Sequence, residues 1–315
     1  MDGIFVINKS GGLTSHDVVA RVRRLARQKR VGHAGTLDPA ATGVLPVLLG
    51  QATRVAEYLS ESGKAYRAVV RFGVETTTYD REGEVTRETP TDGLALEQIA
   101  ATLPAFLGEQ EQLPPIYSAI KQAGRPLYAL ARAGEAVQVE PRRVRIDALR
   151  IVAWQSPDLT LDVECGKGTY IRSLAHDLGQ RLGPGAHLAA LTRTRSGPFT
   201  LDQAITLDEL EQALATDAWR ERCFAADEAL LDWRALILGE ASEARMRQGQ
   251  PLRFAASASL PACSGSGAGG AGDGDEGPLA RAYSADGRFI GIVLWSEQQA
   301  AWQPHKVLPT QLEEQ

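Results

Sequence analysis

A short loop around Asp38 carries the residues best suited to chemistry. Gly35 permits a tight turn before it, and Pro39 moves the backbone of Asp38 away from the helical region, so the direction of the carboxylate is restricted. A carboxylate held on a loop between basic segments can serve as a nucleophile. The same Asp-Pro step, followed by Ala-Ala-Thr, is also typical of a helix N-cap with proline at the first helical position. The residues of this loop alone leave both interpretations open.

The cysteines and histidines do not suggest a second kind of site. Cys165, Cys223 and Cys263 lie far apart without a CxxC pair, and the five histidines are scattered without HExxH spacing. A disulfide framework and a metal site are therefore not expected, and a reducing cytosol suits the chain. The sequence also has no Rossmann or Walker A fingerprint, so we expect no nucleotide cofactor.

Positive charge is concentrated near the N-terminus, although the whole chain carries a net charge of −5. Residues 1–55 contain eight basic and three acidic residues, whereas residues 256–315 contain three basic and seven acidic ones. Binding to phosphates depends on a local basic surface rather than on the total charge. A solvated basic helix face is the alternative. The candidates for contacts with phosphates are Arg21, Arg24, Arg27, Lys29, Arg30, Arg142, Arg143, Arg193 and Arg195.

Hydrophobic periodicity predicts the elements that must position these residues. Thr14 and Ser15 can cap a helix that begins near Asp17, and the alternating side chains of residues 64–73 predict a strand. Further strands are predicted at 144–154 and 159–165, and further helices at 94–107, at 169–182 and after a Thr206–Glu209 capping box. Strands and helices without regular βαβ alternation predict an α+β fold.

The composition changes near residue 256. Residues 256–278 are small, polar and rich in glycine, which predicts a flexible insertion. A hairpin signal follows, with strands at 279–284 and 289–295 and a turn at Asp286-Gly287. We therefore expect the insertion to interrupt a small C-terminal β-domain. No apolar run is long enough to predict a membrane span, and residues 1–10 do not have the form of a signal peptide.

Five segments resemble, in order, the motifs of the TruB family of pseudouridine synthases. The longest, residues 30–46 (RVGHAGTLDPAATGVLP), is similar to the family's active-site segment and contains Asp38. The others are residues 8–15 (NKSGGLTS), 64–66 (KAY), 114–121 (PPIYSAIK) with its continuation to Arg132, and 165–174 (CGKGTYIRSL). The chain departs from the family's usual pattern at Ser10, where proline is usual, and at Thr77, where many members carry an acid.

The resemblance implies a pseudouridine synthase fold. Residues 1–235 are expected to form the catalytic domain, a mixed, largely antiparallel sheet flanked by helices, with an RNA-binding insertion at about 108–143. Residues 236–315 are expected to form a small PUA-like RNA-binding β-domain, interrupted by the glycine-rich insertion.

The resemblance also implies a catalytic set. Asp38 is expected to start the reaction as nucleophile or base, and Arg172 to pair with it and lower its pKa. Tyr66 is expected to stack on the flipped uracil. The structural alternatives are an exposed arginine in the first turn of a helix for Arg172 and core packing for Tyr66.

A second group is expected to bind the substrate around that set. His33 resembles the histidine that holds the RNA loop open by stacking, with an exposed loop histidine as the alternative. Lys9 and Lys64 are expected either to contact phosphates or to position loops. Gly35 and Tyr170 complete the group.

The implied reaction breaks the N1–C1′ bond of uridine, turns the base and joins C5 to C1′. The expected substrate is uridine 55 in the T-loop of tRNA, and the expected enzyme is a cytoplasmic monomer without a cofactor, a metal, a membrane or an obligatory protein partner. Two alternatives remain: a guide-RNA-dependent synthase of the H/ACA type, and a tRNA-binding folding chaperone without catalysis. The insertion at 108–143 favours the stand-alone enzyme over the first alternative.

Overall fold

The computed structural model describes residues 1–117, 121–122, 124–127, 139–253 and 277–309 of the chain. The helices of this part are α1 (Ser15–Leu25), α2 (Ala56–Glu61), α3 (Leu96–Thr102), α4 (Ile171–Leu182), α5 (Leu207–Ala215) and α6 (Glu240–Arg247). Its strands are β1 (Gly3–Lys9), β2 (Val31–His33), β3 (Thr42–Leu49), β4 (Lys64–Phe72), β5 (Val74–Thr76), β6 (Val85–Glu88), β7 (Gly108–Gln112), β8 (Lys121–Gln122), β9 (Arg125–Pro126), β10 (Arg142–Gln155), β11 (Asp158–Cys165), β12 (Ala186–Ser196), β13 (Phe199–Thr200), β14 (Cys223–Phe224), β15 (Arg234–Leu238), β16 (Leu279–Ser284), β17 (Phe289–Ser296) and β18 (Ala301–Val307).

The large sheet has the strand order β14-β1-β3-β12-β4-β11-β10-β7, with β2 paired to β3 and β13 paired to β12. The pairs are antiparallel except for β12 and β3, which run parallel. The α+β class and the mixed, largely antiparallel sheet predicted from the sequence are confirmed. Because β3 and β4 both pair with β12, the loop before β3 comes close to the start of β4.

Strand β4 lies in the middle of the large sheet. Every second residue from Tyr66 to Phe72 is at most 8% exposed and packs in the apolar core, which the β-strand alternation requires. On the other face, Arg67 forms an ion pair with Asp162 of β11 at 2.8 Å. The strand predicted for residues 64–73 is confirmed.

Helices α1 and α4 pack on the apolar face of this sheet. Thr14 caps α1 in a reciprocal capping box with Asp17, which confirms the predicted start to within two residues. Helix α4 ends at Gly183, whose positive φ of 104° suits glycine, as the sequence predicts. These two helices matter for the site because their first turns approach the loop that carries Asp38.

Helix α3 is shorter than predicted. The sequence predicts a helix over 94–107, but α3 ends at Thr102 and a 3₁₀ turn covers Leu103–Phe106. Pro104 explains the difference, because it lacks an N–H and its ring crowds the carbonyl one turn earlier.

The C-terminal sheet has the order β15-β16-β17-β18. Strands β16 and β17 form the predicted hairpin, with Leu279 opposite Leu294. The first strand of this sheet, β15, begins at Arg234, and it therefore crosses the predicted domain boundary at 235/236. The predicted glycine-rich insertion lies outside the described residues except for Gly277 and Pro278. None of the helices described here is long and apolar enough to cross a membrane.

Candidate active site

Asp38 lies on an irregular loop between β2 and β3. The backbone N–H of Ala41 donates to the carbonyl of Asp38 at 3.1 Å, which closes a turn, and β3 begins at Thr42. No helix starts at Asp38, so the helix N-cap interpretation is wrong. The Asp38 carboxylate therefore does not cap a helix, and it lies at a cleft beside the loop.

Lys9 supports this loop from beneath. Its side chain is fully buried, and its ammonium donates to the carbonyls of Ser10, Leu13 and Pro39 at 3.0, 2.7 and 3.0 Å. Burial lowers the pKa of Lys9, while the nearby Asp38 carboxylate raises it in part. Lys9 therefore does not reach an RNA phosphate in this structure, and the loop-positioning alternative replaces the predicted phosphate contact.

Arg193 of β12 supports the other side of the loop. It is fully buried and donates to the carbonyls of Val44 at 2.7 Å, Gly35 at 3.0 Å and Thr36 at 3.4 Å. Its predicted role as an RNA-backbone contact is wrong, because no part of the side chain is accessible. Gly35 has a φ of +84°, and a Cβ there would stand 3.3 Å from Nη1 of Arg193. The turn predicted at Gly35 thus also needs the small residue for a close approach.

Arg172 pairs with Asp38, as predicted. It lies in the first turn of α4, and its Nη2 donates to Oδ1 of Asp38 at 3.3 Å. Its Nε lies 3.0 Å from Oδ2, but this N–H has no hydrogen-bond partner among the described residues, so the second contact is electrostatic. The same guanidinium reaches the Asp80 carboxylate at 3.4 Å. The arginine side chain is only 6% exposed, whereas that of Asp38 is 42% exposed. The exposed-helix alternative for Arg172 is therefore wrong.

The pKa of Asp38 departs from expectation. Burial in the cleft raises the pKa above its ordinary value, and Asp80 raises it further. Arg172 and Lys9 lower the pKa, in the predicted direction, but they do not outweigh burial. Arg172 thus reduces the rise in the pKa of Asp38 but does not bring that pKa below its ordinary value.

Tyr66, Lys64 and Tyr170 line the cleft together with Asp38 and Arg172. Tyr66 is 8% exposed; burial raises its pKa, and the nearby charge of Arg193 lowers it in part. Lys64 donates to the carbonyls of Ser60 and Ser62, both at 2.7 Å, and burial lowers its pKa to about 8. Tyr66 therefore both packs in the core and forms part of the cleft wall.

His33 is placed differently from the other predicted substrate-binding residues. It lies half-buried in β2, opposite Val47, and is not part of the cleft wall around Asp38. Burial lowers its pKa, and its Nδ1 has no hydrogen-bond partner within the described part of the chain. Its exposed-loop alternative does not hold, and its stacking role stays a prediction.

The predicted basic surface divides into free and engaged side chains. Arg21 forms ion pairs with Asp208 and Glu211 of α5, and Arg195 reaches Glu164 at 3.4 Å. Arg30 donates to Thr53 and Gln51. The exposed candidates without a side-chain partner among the described residues are Arg24, Arg27, Lys29, Arg142 and Arg143.

Sequence reasoning missed three positions around the site. Ser15 in the first turn of α1 accepts from the N–H of Leu37 at 2.9 Å, directly before Asp38. Asp80 shares the guanidinium of Arg172, and Gln112 contacts the residue that precedes α4. From the sequence, Ser15 was predicted only as a capping residue. The positions of Asp80 and Gln112 in the sequence do not indicate which residues they contact. Within the described ranges, no cluster of three or more potential metal ligands occurs.

Comparisons with known proteins agree with this fold. A model described as TruB family pseudouridylate synthase (N terminal domain) matches residues 23–171, and one described as tRNA pseudouridylate synthase B C-terminal domain matches residues 172–237. A tRNA pseudouridine synthase B from Burkholderia mallei is 43% identical over 300 residues, which cover 94% of each chain. Another from a Nostoc species is 47% identical over 253 residues, covering 79% of this chain and 85% of the relative.

Solved structures also share the architecture. A crystal structure of a Cbf5-Nop10-Gar1 complex superposes with a TM-score of 0.72 at 25% identity, covering 98% of this chain and 85% of that one. An H/ACA RNP bound to a substrate RNA gives a TM-score of 0.71 at 24% identity, with the same coverage. The fold and the matches define a pseudouridine synthase, an isomerase of uridine. The chain belongs to the TruB family of pseudouridylate synthases.

Proposed function

We propose that this enzyme converts uridine 55 in the T-loop of tRNA to pseudouridine, with Asp38 as the residue that starts the reaction. The observation that carries the proposal is the Asp38–Arg172 pair, with contacts of 3.0 and 3.3 Å, at a cleft that Tyr66 also lines. The tRNA substrate is proposed because the relatives that match most of the chain are named tRNA pseudouridine synthase B.

The chemistry is an isomerisation and balances without a co-reactant. The N1–C1′ bond breaks, the detached uracil turns, C5 bonds to C1′, and the proton that C5 carried is released while N1 gains one. A carboxylate can assist either by attacking the nucleoside or by removing a proton, and both roles need the ionised form of Asp38. Arg172 favours that form against the burial that raises the pKa.

The cleft around the pair suits a flipped base. Flipping costs a few kcal/mol and is offset by stacking and phosphate contacts. We propose that the ring of Tyr66 is the stacking surface, that the charge of Arg193 lies close to its hydroxyl, and that Tyr170 and Lys64 form other parts of the cleft wall. His33 and the exposed arginines are proposed to contact the RNA outside this cleft. We also propose that residues 236–315 act as a PUA-like RNA-binding domain.

The test uses purified protein and an unmodified tRNA transcript with no other component. Mapping of pseudouridine is expected to find it at position 55, and an Asp38→Asn protein is expected to bind the transcript without modifying it. Modification at another uridine would overturn the position, and turnover by Asp38→Asn would overturn the role of the aspartate.

A guide-RNA-dependent synthase is the second candidate, because the solved structures that share this fold include H/ACA particles. It predicts no activity on the transcript until a guide RNA and partner proteins are added. A binding protein without catalysis predicts equal behaviour of wild type and Asp38→Asn. We propose a stand-alone monomer that works in the cytoplasm, where tRNA is modified.

A further inference from the structure

Gln112, the last residue of β7, makes an unusual pair of contacts. Its side chain is 5% exposed, and its Oε1 accepts from the N–H of Tyr170 at 2.8 Å. Its Nε2 donates to the carbonyl of the same residue at 3.0 Å. One glutamine therefore bonds to both backbone groups of a single residue on another element, which restrains the two peptide groups on either side of that residue.

Tyr170 is the residue from which α4 starts. Its carbonyl also accepts the first hydrogen bond of the helix, from Leu174 at 3.1 Å, and its own side chain provides no cap. Gln112 therefore supplies from a distant strand the restraint that a capping side chain usually gives. Arg172 follows two residues later, so any shift of this helix start moves the guanidinium relative to Asp38.

Two more bonds join the same helix turn to the segment after Gln112. Ser173 donates from Oγ to the carbonyl of Leu113 at 2.7 Å, and Arg172 donates from Nη2 to the carbonyl of Tyr117 at 3.0 Å. Residues 112–117 thus contact Tyr170, which precedes α4, and positions 172 and 173 of the helix itself. Ser173 and Gln112 are both buried, so water does not readily replace these bonds.

We propose that Gln112 is a positioning residue for the reaction, which holds the start of α4 so that Arg172 meets the Asp38 carboxylate. The inference rests on the proposed function. Through Leu113 and Tyr117 the same contacts link the arginine to the predicted RNA-binding insertion at about 108–143. Gln112 is not among the residues that line the cleft, so its effect is on geometry.

The test compares Gln112→Ala with Gln98→Ala. Gln98 is the control for the loss of a glutamine at a helix start: it is exposed, and its Oε1 accepts from the N–H of Ala95 before α3, away from the cleft. Each protein is assayed under single-turnover conditions at saturating tRNA, by release of tritium from C5 of uridine, and its affinity for tRNA is measured separately. Gln112→Ala is expected to lower the rate by about tenfold to a hundredfold, since small misplacements of catalytic groups have effects of this size. Its tRNA affinity is expected to stay at the wild-type level.

The pH profile separates positioning from plain structural support. Arg172 lowers the pKa of Asp38, so a displaced arginine leaves the pKa higher and moves the acidic limb of the rate profile to higher pH. Gln112→Glu is the second variant. It keeps the volume and the acceptor for Tyr170, but places an oxygen against the Tyr170 carbonyl, and the same two changes are expected.

The outcomes are distinguishable. Wild-type protein that modifies no tRNA would overturn the proposed function and this inference with it. An active wild type, with Gln112 variants that match Gln98→Ala in rate and pH profile per folded molecule, would overturn only the inference. A loss confined to tRNA affinity would also overturn it.

Discussion

Lys9 and Arg193 differ from Arg24 and Arg27 in what surrounds their charges. The first two are fully buried, and their hydrogen bonds go to backbone carbonyls of the loop that carries Asp38 or of its neighbours. Arg24 and Arg27 are exposed, at the end of α1 and just after it, with no side-chain partner in the described part of the chain. In the sequence all four are simply basic residues, and nothing in residue type separates the two pairs.

The difference separates two functions of positive charge. Burial lowers the pKa of Lys9 and of Arg193, which means that their charged forms are held at a desolvation cost that the hydrogen bonds to carbonyls offset. Such residues order a loop. Exposed arginines keep their hydration and can exchange counterions for phosphates, so their contribution to binding depends on salt.

Replacement of Arg172 should have the largest effect on the reaction. Arg172→Lys keeps a charge but loses the planar fork that reaches Asp38, Asp80 and the Tyr117 carbonyl together. We expect the single-turnover rate to fall by about 10³-fold, as for removal of a preorganised electrostatic contact, with tRNA affinity retained. Arg220→Lys is the control, because Arg220 is exposed and its contacts with Asp217 and with the ring of Trp219 are local. A near-normal rate for folded Arg172→Lys would remove Arg172 from the catalytic set.

Replacement of Arg193 should affect both stability and rate. Arg193→Met leaves the carbonyls of Val44 and Gly35 without their donor, and we expect the free energy of unfolding to fall by about 3 kcal/mol. The released loop should also slow turnover. Denaturant titration provides the measurement.

The control for Arg193 lies two residues further along β12. Arg195→Met removes a half-exposed arginine that meets Glu164 at 3.4 Å, and the free energy of unfolding is expected to fall by about 1 kcal/mol or less. Equal decreases for the two variants would contradict the division between buried and exposed cations.

The pH dependence of the wild type tests the electrostatics of Asp38. The ionised carboxylate of Asp38 is the active form, and burial raises its pKa. The rate should therefore decline as pH falls through a pKa above the ordinary aspartate value, and recover as pH rises. Single-turnover rates over a pH series at constant ionic strength give the position of this limb. An inflection at or below the ordinary value would show that Arg172 and Lys9 dominate over burial.

The sequence predicted the elements better than it predicted their contacts. Strand β4 and the C-terminal hairpin follow from side-chain alternation and turn chemistry, which are local signals. The pairing of Arg172 with Asp38 was available only through the family resemblance, since the two residues lie on different elements. The burial of Arg193 was not visible, because strand β12 acquires its neighbours β3 and β4 only when the sheet forms. Residue type alone cannot tell a buried cation from an exposed one.

The exposed arginines should give the smallest effect, confined to binding. Arg24→Gln and Arg27→Gln are each expected to weaken tRNA binding at low salt while leaving the saturating rate unchanged. For each phosphate that a variant no longer neutralises, the slope of log K against log salt concentration should shrink by about 1. Arg21→Gln is the matched comparison: its charge is already offset by Asp208 and Glu211, so it should change the slope less. Slopes that are the same in all three variants and in wild type would mean that the exposed face is only solvated, and that the RNA binds elsewhere, with Arg142 and Arg143 as the next candidates.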